Sequence, residues 1–387
     1  MANTAIPEQQ AWPVWLAGLA KPALAGTRAA RLPKGGRTAV GLVKDGRTAV
    51  GLVNGGRAAV GLVLTVAVAT TTLRPSGDES VAVNDAPTRF DDSVTLDALG
   101  SVAQRPLLSE APATLAETGL YSDWSTRTIA ADLLPFSPQY PLWSDGATKQ
   151  RWIYLPSAID ARAWTLPVGT RIWKQFSFGE RVETRFMMRT AAGWTYATYL
   201  WPGGARASRS GAEVGTHRVP SESDCRACHG NAASPVLGFS ALQLSVDRDP
   251  GAPHRETRGV DLLSLVIAGY VTDLDDIAPR IPGSPVQRAA LGYLHGNCNG
   301  CHRADGPLAG LGMDLSPAAA LRTTANVTAK FAAQPRLTPG DAEHSLLVRR
   351  MSARQSLTQM PPIGTDVVDA EALRLVADWI DQLAVTH

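Results

Sequence analysis

Residues 284–302 read SPVQRAALGYLHGNCNGCH, and this stretch decides the fold of the C-terminal part of the chain. Ser284 followed by Pro285 is an N-cap with proline at the first helical position. A helix is therefore predicted over Val286–Asn297. It leads directly into the motif Cys298-Asn-Gly-Cys301-His302.

The same pattern occurs earlier, as Cys225-Arg-Ala-Cys228-His229, and the two motifs contain all four cysteines of the chain. C-x-x-C-H is the pattern of covalent c-type haem attachment. Two thiols three positions apart can add to the two vinyl groups of a haem, and the adjacent histidine then gives its imidazole nitrogen to the iron. The motifs predict two haems c, attached at Cys225, Cys228, Cys298 and Cys301, with His229 and His302 as proximal iron ligands.

Zinc and disulfides are the alternatives for these cysteines. Paired C-x-x-C motifs can form a zinc site, but zinc does not need a histidine directly after the second cysteine. A zinc ribbon has about 15–20 residues between its pairs, whereas 69 residues separate Cys228 from Cys298. Two disulfides are a further alternative, although C-x-x-C pairs are more typical of redox chemistry or metal binding. The histidine that ends both motifs favours haem.

The 387-residue composition is that of an ordinary protein with two or three domains, 44% hydrophobic and 19% charged. The net charge of +2 hides a basic N-terminus, because residues 1–69 hold eight Lys or Arg and two acids. Removing them from the totals of 37 basic and 35 acidic residues leaves 29 and 33, a net charge of −4. Nothing in this balance indicates nucleic-acid binding.

The N-terminus predicts export. A decapeptide is repeated three times over residues 36–63, and the last copy runs into sixteen uncharged residues, Ala58–Leu73. This run is short for a membrane span but suits the core of a signal peptide, and Ala67-Val68-Ala69 is an A-x-A cleavage signal. Residues 1–69 are interpreted as a signal peptide with an unusually long, repetitive N-terminal region. The alternative is an uncleaved membrane anchor. We expect a periplasmic protein without a stable membrane span after cleavage.

The mature chain divides by composition. Residues 70–105 are polar and predict a flexible linker. Residues 106–220 predict a Trp-rich antiparallel β-domain, because seven of the ten tryptophans lie between Trp124 and Trp201 and short β-type runs recur there. The tryptophans are expected in its core and on a docking face, with a binding cleft as the alternative. The predicted strands are Gln150–Leu155, Thr170–Phe178, Val182–Arg189 and Gly193–Trp201.

Residues 221–283 carry the first motif and a predicted helix at Asp261–Tyr270, a segment too short to be a haem domain by itself. The first haem is therefore expected to be shared with the β-domain. In residues 284–387 the motif is followed by Met360-Pro361-Pro362 and then by a helix to Leu383, capped by Asp366 or Asp369. The fold class predicted is α+β, a β-domain followed by a mostly α-helical domain.

Residues 284–387 resemble class I cytochrome c, in which an N-terminal helix runs into C-x-x-C-H, a methionine follows on a loop, and a C-terminal helix packs across the first. The remainder, from about Gly119, contains Pro141-Leu142-Trp143-Ser144-Asp145-Gly146-Ala147 and Val219-Pro220-Ser221 before Cys225. With these motifs it is similar to an uncharacterised family of exported dihaem c-type cytochromes from Gram-negative bacteria. The resemblance implies His302 and Met360 as the proximal and distal ligands of the second haem. Met/His ligation raises the haem potential and suits electron transfer.

Met360 has two competitors as the distal ligand. Met313 is only eleven residues past His302, which is close for a chain that must cross to the other haem face. Met351 lies in Leu346–Met351, which reads as helix and indicates a core position. Met360 precedes a prolyl stretch that cannot be helical and that exposes the preceding side chain on a rigid loop.

The distal ligand of the first haem is left open between His217 and His254. Met187 and Met188 are adjacent on a predicted strand, so one points inward and the other outward. They are weaker candidates because a methionine in a strand is more often a core residue than a ligand. His295 and His344 are expected either at the surface or in contact with an iron ligand rather than with the iron itself. An empty sixth position would make this haem reactive.

The expected function is a periplasmic dihaem cytochrome that transfers electrons between redox proteins, such as another cytochrome, a dehydrogenase or a terminal oxidase. One alternative is a dihaem peroxidase-like enzyme, although such enzymes resemble two fused cytochrome domains and leave no place for the β-domain. The other is a cytochrome subunit that serves a separate periplasmic dehydrogenase. No acid–base or nucleophile constellation stands out, and Asp145 in Trp-Ser-Asp-Gly reads as a turn residue.

Overall fold

A computed structural model describes residues 39–44, 47–52, 104–215, 217–230, 234–255, 259–355 and 357–384. The chain forms two compact units, residues 1–86 and residues 87–387. In the first unit, two copies of the decapeptide repeat pair as antiparallel strands β1 (Ala39–Lys44) and β2 (Arg47–Leu52), which the sequence reading does not anticipate. The predicted signal-peptide core, its cleavage site and residues 70–103 of the predicted linker lie outside the described residues.

The second unit contains twelve further strands among the described residues. They are β3 (Tyr121–Asp123), β4 (Thr128–Ile129), β5 (Leu134–Pro135), β6 (Thr148–Tyr154), β7 (Ile159–Asp160), β8 (Arg171–Phe178), β9 (Glu180–Thr190), β10 (Gly193–Leu200), β11 (Ala205–Arg206), β12 (Ala212–Val214), β13 (His217–Val219) and β14 (Val271–Thr272). Six of them form one antiparallel sheet in the order β11-β10-β9-β8-β6-β5. The predicted antiparallel β-structure is confirmed, with each of the four predicted strands within two residues of its observed bounds.

The sheet separates two hydrophobic cores, because successive side chains of a strand point to opposite faces. The row Trp152–Trp173–Phe186 across β6, β8 and β9 fills one core. The neighbouring row Ile153–Ile172–Met187 belongs to the other core. Buried apolar and aromatic side chains each contribute roughly 1.5–3 kcal/mol to folding, so these rows fix the register of the sheet.

The tryptophans divide between core and surface. Trp152 and Trp173 are buried. Trp124 and Trp201 are only partly buried and stack with their ring centroids 5.6 Å apart, and the Arg127 guanidinium lies 3.5 Å from the Trp124 ring. The expected core position is confirmed for Trp152 and Trp173, and the docking face stays a prediction.

The segment that follows the sheet is built onto it. Helix α1 (Glu222–His229) contacts β10, and β14 pairs in parallel with β7. Helix α2 (Leu262–Ile267) is capped by the Asp261 side chain, which accepts from the Ser264 N–H at 2.8 Å. This helix is shorter than the predicted Asp261–Tyr270, because Gly269 adopts φ +73°, a left-handed conformation that ends a helix.

Four helices form the C-terminal part: α3 (Pro285–Asn297), α4 (Ala320–Thr324), α5 (Leu346–Ser352) and α6 (Ala370–Asp381). Ser284 caps α3 and Asp369 caps α6, as predicted. Helix α6 packs against α3 and α5, and their shared core includes Leu291, Leu294, Val376, Trp379 and Ile380. The α+β class is confirmed. None of the helices in the described parts of the chain is long and apolar enough to cross a membrane.

Two glycines bring the β-domain close to α3. A Cβ at Gly292 would lie 2.0 Å from the Tyr140 ring, and one at Gly296 would lie 2.4 Å from the Tyr140 carbonyl oxygen. Both positions need glycine because the loop backbone and ring occupy the space of a side chain. The loop that begins at Tyr140 therefore rests on the last two turns of α3, immediately before Cys298.

The same loop holds the segment after Met360. Asp145, at φ +53°, accepts hydrogen bonds from the Thr365 hydroxyl at 2.5 Å and from the Asp366 and Val367 N–H groups at 3.0 Å each. The Trp143 indole donates to the Val367 carbonyl at 2.8 Å. Asp145, which the sequence indicates as a turn residue, thus also holds residues 365–367 on the loop that follows Met360.

Candidate functional site

The first C-x-x-C-H motif lies on α1, and a capping box starts this helix. The Ser221 hydroxyl accepts from the Asp224 N–H at 3.1 Å, and the Asp224 carboxylate accepts from the Ser221 N–H at 3.0 Å. Residues three and four apart in a helix share a face. Cys225, Cys228 and His229 therefore project from one side of a helix whose start is fixed by its own sequence.

The imidazole of His229 has a defined tautomer. Its Nδ1 lies 2.6 Å from the Pro235 carbonyl oxygen. A carbonyl oxygen can only accept, so Nδ1 carries the proton and Nε2 keeps a lone pair. This is the arrangement of metal-ligating histidines, which commonly donate their other N–H to a backbone carbonyl.

The His229 ring is also neutral at physiological pH. Burial lowers the pKa of His229 to about 4, with Lys174 and Arg185 acting in the same direction and the Pro235 hydrogen bond opposing them. A neutral imidazole is the form that ligates metals. The Tyr196 ring lies beside it, with centroids 5.7 Å apart.

A cavity of about 90 Å³, partly open to solvent, lies against this face of α1. Its walls include Cys225 and His229 from the motif, Met187 and Tyr196 from the sheet, and Gly296 from the end of α3. A thiol and an imidazole of the first motif thus line one cavity. The chemistry of this donor set fits a covalently held haem.

Three cations line the same cavity. Arg151 on β6, Lys174 on β8 and Arg185 on β9 are direct cross-strand neighbours. Burial, together with Arg151, Lys149 and Arg185, holds the pKa of Lys174 well below its usual range, while Glu183 opposes this. Glu183 is fully buried, and one of its oxygens accepts from Arg185 at 2.5 Å and lies 2.9 Å from His217 Nε2.

The four candidates for the distal ligand of the first haem lie in different places in the fold. Met187 lines the cavity, whereas Met188 packs in the core on the other side of the sheet. His217 contacts Glu183 and His254 contacts Asp369, with Nε2 2.9 Å from a carboxylate oxygen in each case. Neither histidine is among the residues that line the cavity. Met187 thus lines the same cavity as His229, and the two favoured histidines do not.

The second motif begins where α3 ends. Cys298 is the C-cap of α3, and its carbonyl accepts from the Cys301 and His302 N–H groups at 3.1 and 3.0 Å. His302 is nearly buried, and its Nδ1 is buried without a hydrogen-bond partner. Burial, Arg336 and Arg350 lower the pKa of His302, so this imidazole is also neutral at pH 7. Unlike His229, its tautomer is not fixed by a carbonyl.

Three methionines follow the second motif. Met351 lies in α5 and is a member of the helical core, and Met313 packs against the same core. Met360 is partly buried on a loop, and its N–H donates to the Arg350 carbonyl at 2.9 Å. His344 is exposed and contacts Asp341, whereas His295 is partly buried with a lowered pKa caused by burial. Of the three methionines, Met360 alone lies outside that core.

The two motifs lie near each other. Burial raises the pKa of Cys228 to about 11, and the charge of Cys301 contributes to that shift. Gly296, two residues before Cys298, lines the cavity that Cys225 and His229 face. The fold thus brings together two motifs that are 69 residues apart in sequence.

All four cysteines are free thiols. Within the described ranges, no three His, Cys, Asp or Glu side chains are grouped so as to hold a metal ion. The sequence does not predict that Arg151, Lys174 and Arg185 lie side by side, because only the register of β6, β8 and β9 aligns them. A comparison of the chain with family models, with curated proteins and with solved structures gave no match.

Proposed function

We propose that this protein is an exported dihaem c-type cytochrome that transfers electrons between redox proteins. The observation that carries the proposal is the first motif: Cys225 and His229 line one cavity, and the Pro235 carbonyl holds the Nδ1–H of His229, which leaves Nε2 unprotonated. Bound haem would supply one-electron chemistry at its iron.

The residues of the chain have distinct parts in this proposal. Cys225 and Cys228 would hold the first haem with His229 as proximal ligand, and Cys298, Cys301 and His302 would do so for the second. The Pro235 carbonyl orients the His229 ring and keeps its tautomer. Met360, on a loop that Asp145 and Arg350 anchor, is the proposed distal ligand of the second haem, in a C-terminal domain that we propose to be cytochrome c-like.

The β-domain has two parts. It closes the first cavity with side chains of β6, β8, β9 and β10, so the first haem would be shared between the sheet and α1. Its outer face presents the Trp124–Trp201 stack beside Arg127. Aromatic and arginine side chains are enriched in protein interfaces, and we assign this face to docking of a redox partner in the periplasm.

The proposal is tested by expressing the chain with its N-terminus in a host that matures c-type cytochromes. The periplasmic protein should begin near Thr70 and carry two covalent haems in its intact mass. Reduction by a dehydrogenase or oxidation by an oxidase should be fast, and turnover of peroxide should be no faster than that of a simple cytochrome. Rapid peroxide turnover would favour the peroxidase-like enzyme instead, and retention of the decapeptide repeats would refute cleavage after Ala69.

A further inference from the structure

The loop between α5 and α6, residues 353–369, carries Met360 and is held from two sides. Its own domain provides two anchors: the Arg350 carbonyl accepts from the Met360 N–H at 2.9 Å, and the Arg354 guanidinium donates to the Val367 carbonyl at 2.8 Å. The β-domain provides a further anchor, because the Trp143 indole donates to the same Val367 carbonyl at 2.8 Å. A residue 224 positions before Val367 thus shares in holding this loop.

Trp143 is itself fixed by the end of α3. Its backbone N–H donates to the side-chain oxygen of Asn297 at 2.7 Å, and the Asn297 amide donates to the Pro141 carbonyl at 3.2 Å. Asn297 is the last residue of α3 and directly precedes Cys298 of the second motif. The backbone and side chain of Trp143 therefore join the segment that leads into this motif to the loop that carries Met360.

The ring of Trp143 is also tied to the start of α6. It packs on the His254 imidazole with the ring centroids 4.8 Å apart. His254 Nε2 lies 2.9 Å from the Asp369 carboxylate, which caps α6 by accepting from the Ala372 N–H at 3.1 Å. Directly or through one side chain, Trp143 is thus linked to three elements of the C-terminal domain. They are the end of α3, the loop between α5 and α6, and the start of α6.

We infer that Trp143 is a positioning residue for Met360, acting through Val367 and Asn297. This inference rests on the proposed function, in which Met360 is a ligand of the second haem. A ligand on a loop binds only in the fraction of molecules whose loop is closed, so a hydrogen bond kept only in the closed form raises its apparent affinity. Partners behind a metal ligand commonly change metal affinity by about 10–100-fold when they are mutated. The β-domain thus takes part in the second site as well as in the first.

The test measures how readily an added ligand displaces Met360. Imidazole is titrated against the matured ferric protein, and the absorbance transition that Met360→Ala shifts is assigned to the second haem. Trp143→Phe keeps an aromatic ring against His254 but removes the indole donor. It should bind imidazole at this haem about fivefold more tightly than the wild type, the factor that one net hydrogen bond is worth. Trp143→Ala also removes the ring contact and should shift the affinity further.

The matched control is Trp164→Phe, because the Trp164 indole also donates to a backbone carbonyl, that of Phe239, at 2.7 Å. It removes the same kind of hydrogen bond from the β-domain and should leave imidazole binding at the second haem unchanged. Circular dichroism shows which variants are folded, and Trp143→Phe alone decides if Trp143→Ala is not.

An unchanged imidazole affinity in every folded Trp143 variant would overturn the inference. An equal shift in Trp164→Phe would also overturn it, because the effect would then be a general loss of stability. Haem counting on the same samples is independent. Two attached haems, with Met360→Ala shifted and the Trp143 variants unchanged, would refute the positioning role but leave the proposed function standing. No shift in Met360→Ala would refute the proposed ligand, and the inference with it.

Discussion

The imidazole of His229, which lines a cavity, donates its Nδ1–H to the Pro235 carbonyl oxygen across 2.6 Å, and this leaves Nε2 as an acceptor. A surface histidine has no need of this constraint, because both tautomers are similarly hydrated. Here the backbone after the motif selects one tautomer, and burial lowers the pKa of His229 to about 4. Both effects leave the ring neutral with one free nitrogen lone pair, which is the form of histidine that can ligate a metal.

Met360 is predicted to ligate the second haem. Met360→Ala should lower the midpoint potential of one haem, because a methionine sulfur raises the potential relative to ligands that stabilise ferric iron. Met351→Leu is the matched control, since Met351 is buried in the helical core and leucine conserves its volume. Redox titration of matured protein measures both. A shift in Met351→Leu with none in Met360→Ala would show that the loop methionine is not the ligand.

Met187 is predicted to be the distal side chain of the first haem, because it lines the cavity with His229 and the two histidines favoured by sequence do not. Met187→Leu should change the optical spectrum and potential of the first haem. His217→Gln and His254→Gln should leave its axial ligation intact, since the two rings contact Glu183 and Asp369. Loss of a low-spin signal in either histidine variant, with Met187→Leu unchanged, would restore a histidine ligand.

Asp145 should stabilise the loop that carries Met360. It accepts hydrogen bonds from a hydroxyl and two N–H groups of residues 365–367. Asp145→Ala should lower the free energy of unfolding by about 1–3 kcal/mol, because it leaves donors unpaired. Asp145→Asn keeps one oxygen acceptor and tolerates the positive φ, so it should cost less. Urea unfolding compares the two, and equal losses would mean that the carboxylate oxygens do not hold the loop.

The contact of His254 with Asp369 predicts a pH dependence. The hydrogen bond that His254 donates to the Asp369 carboxylate raises the pKa of His254, with the charges of Asp369 and Glu371 adding to it and burial opposing it. A histidine with a raised folded-state pKa contributes stability that is fully present below its unfolded pKa of about 6.5 and is lost as the pH rises through the folded value.

The test is the loss of stability in His254→Gln at two pH values. The loss should be larger at about pH 5.5 than at about pH 9, and roughly 1 kcal/mol or less, because the pair is partly exposed to solvent. His344→Gln is the control: His344 also contacts an aspartate but is well exposed, so its change should be smaller. A larger loss at the higher pH would contradict the assignment.

Local signals in the sequence predict much of this fold. Ser284-Pro285 marks the start of one helix, Asp366 or Asp369 that of another, and short β-type runs mark the strands of the sheet. The helix after Asp261 was predicted too long, because its pattern continues past Gly269, where the backbone turns left-handed.

Contacts between residues that are far apart in the chain could not be predicted from the sequence. Asp145 and Thr365 are 220 residues apart, and nothing local to either shows that they meet. The row Arg151–Lys174–Arg185 depends on the register of three strands, which the side chains of both cores decide together. Met187 was set aside as a core residue, and it does belong to a core, but that core borders the cavity. The apolar pattern of one strand cannot show whether a buried residue lies inside a core or at the border between the core and a cavity.

The central claim is that the two C-x-x-C-H motifs hold haem, and haem counting by intact mass tests it most directly. In a host that matures a control cytochrome, the wild-type chain should carry two covalent haems. The Cys225→Ser/Cys228→Ser and Cys298→Ser/Cys301→Ser variants should carry one each, and the quadruple variant none. Wild-type protein that is folded and exported, but carries zinc or no haem, would contradict the account.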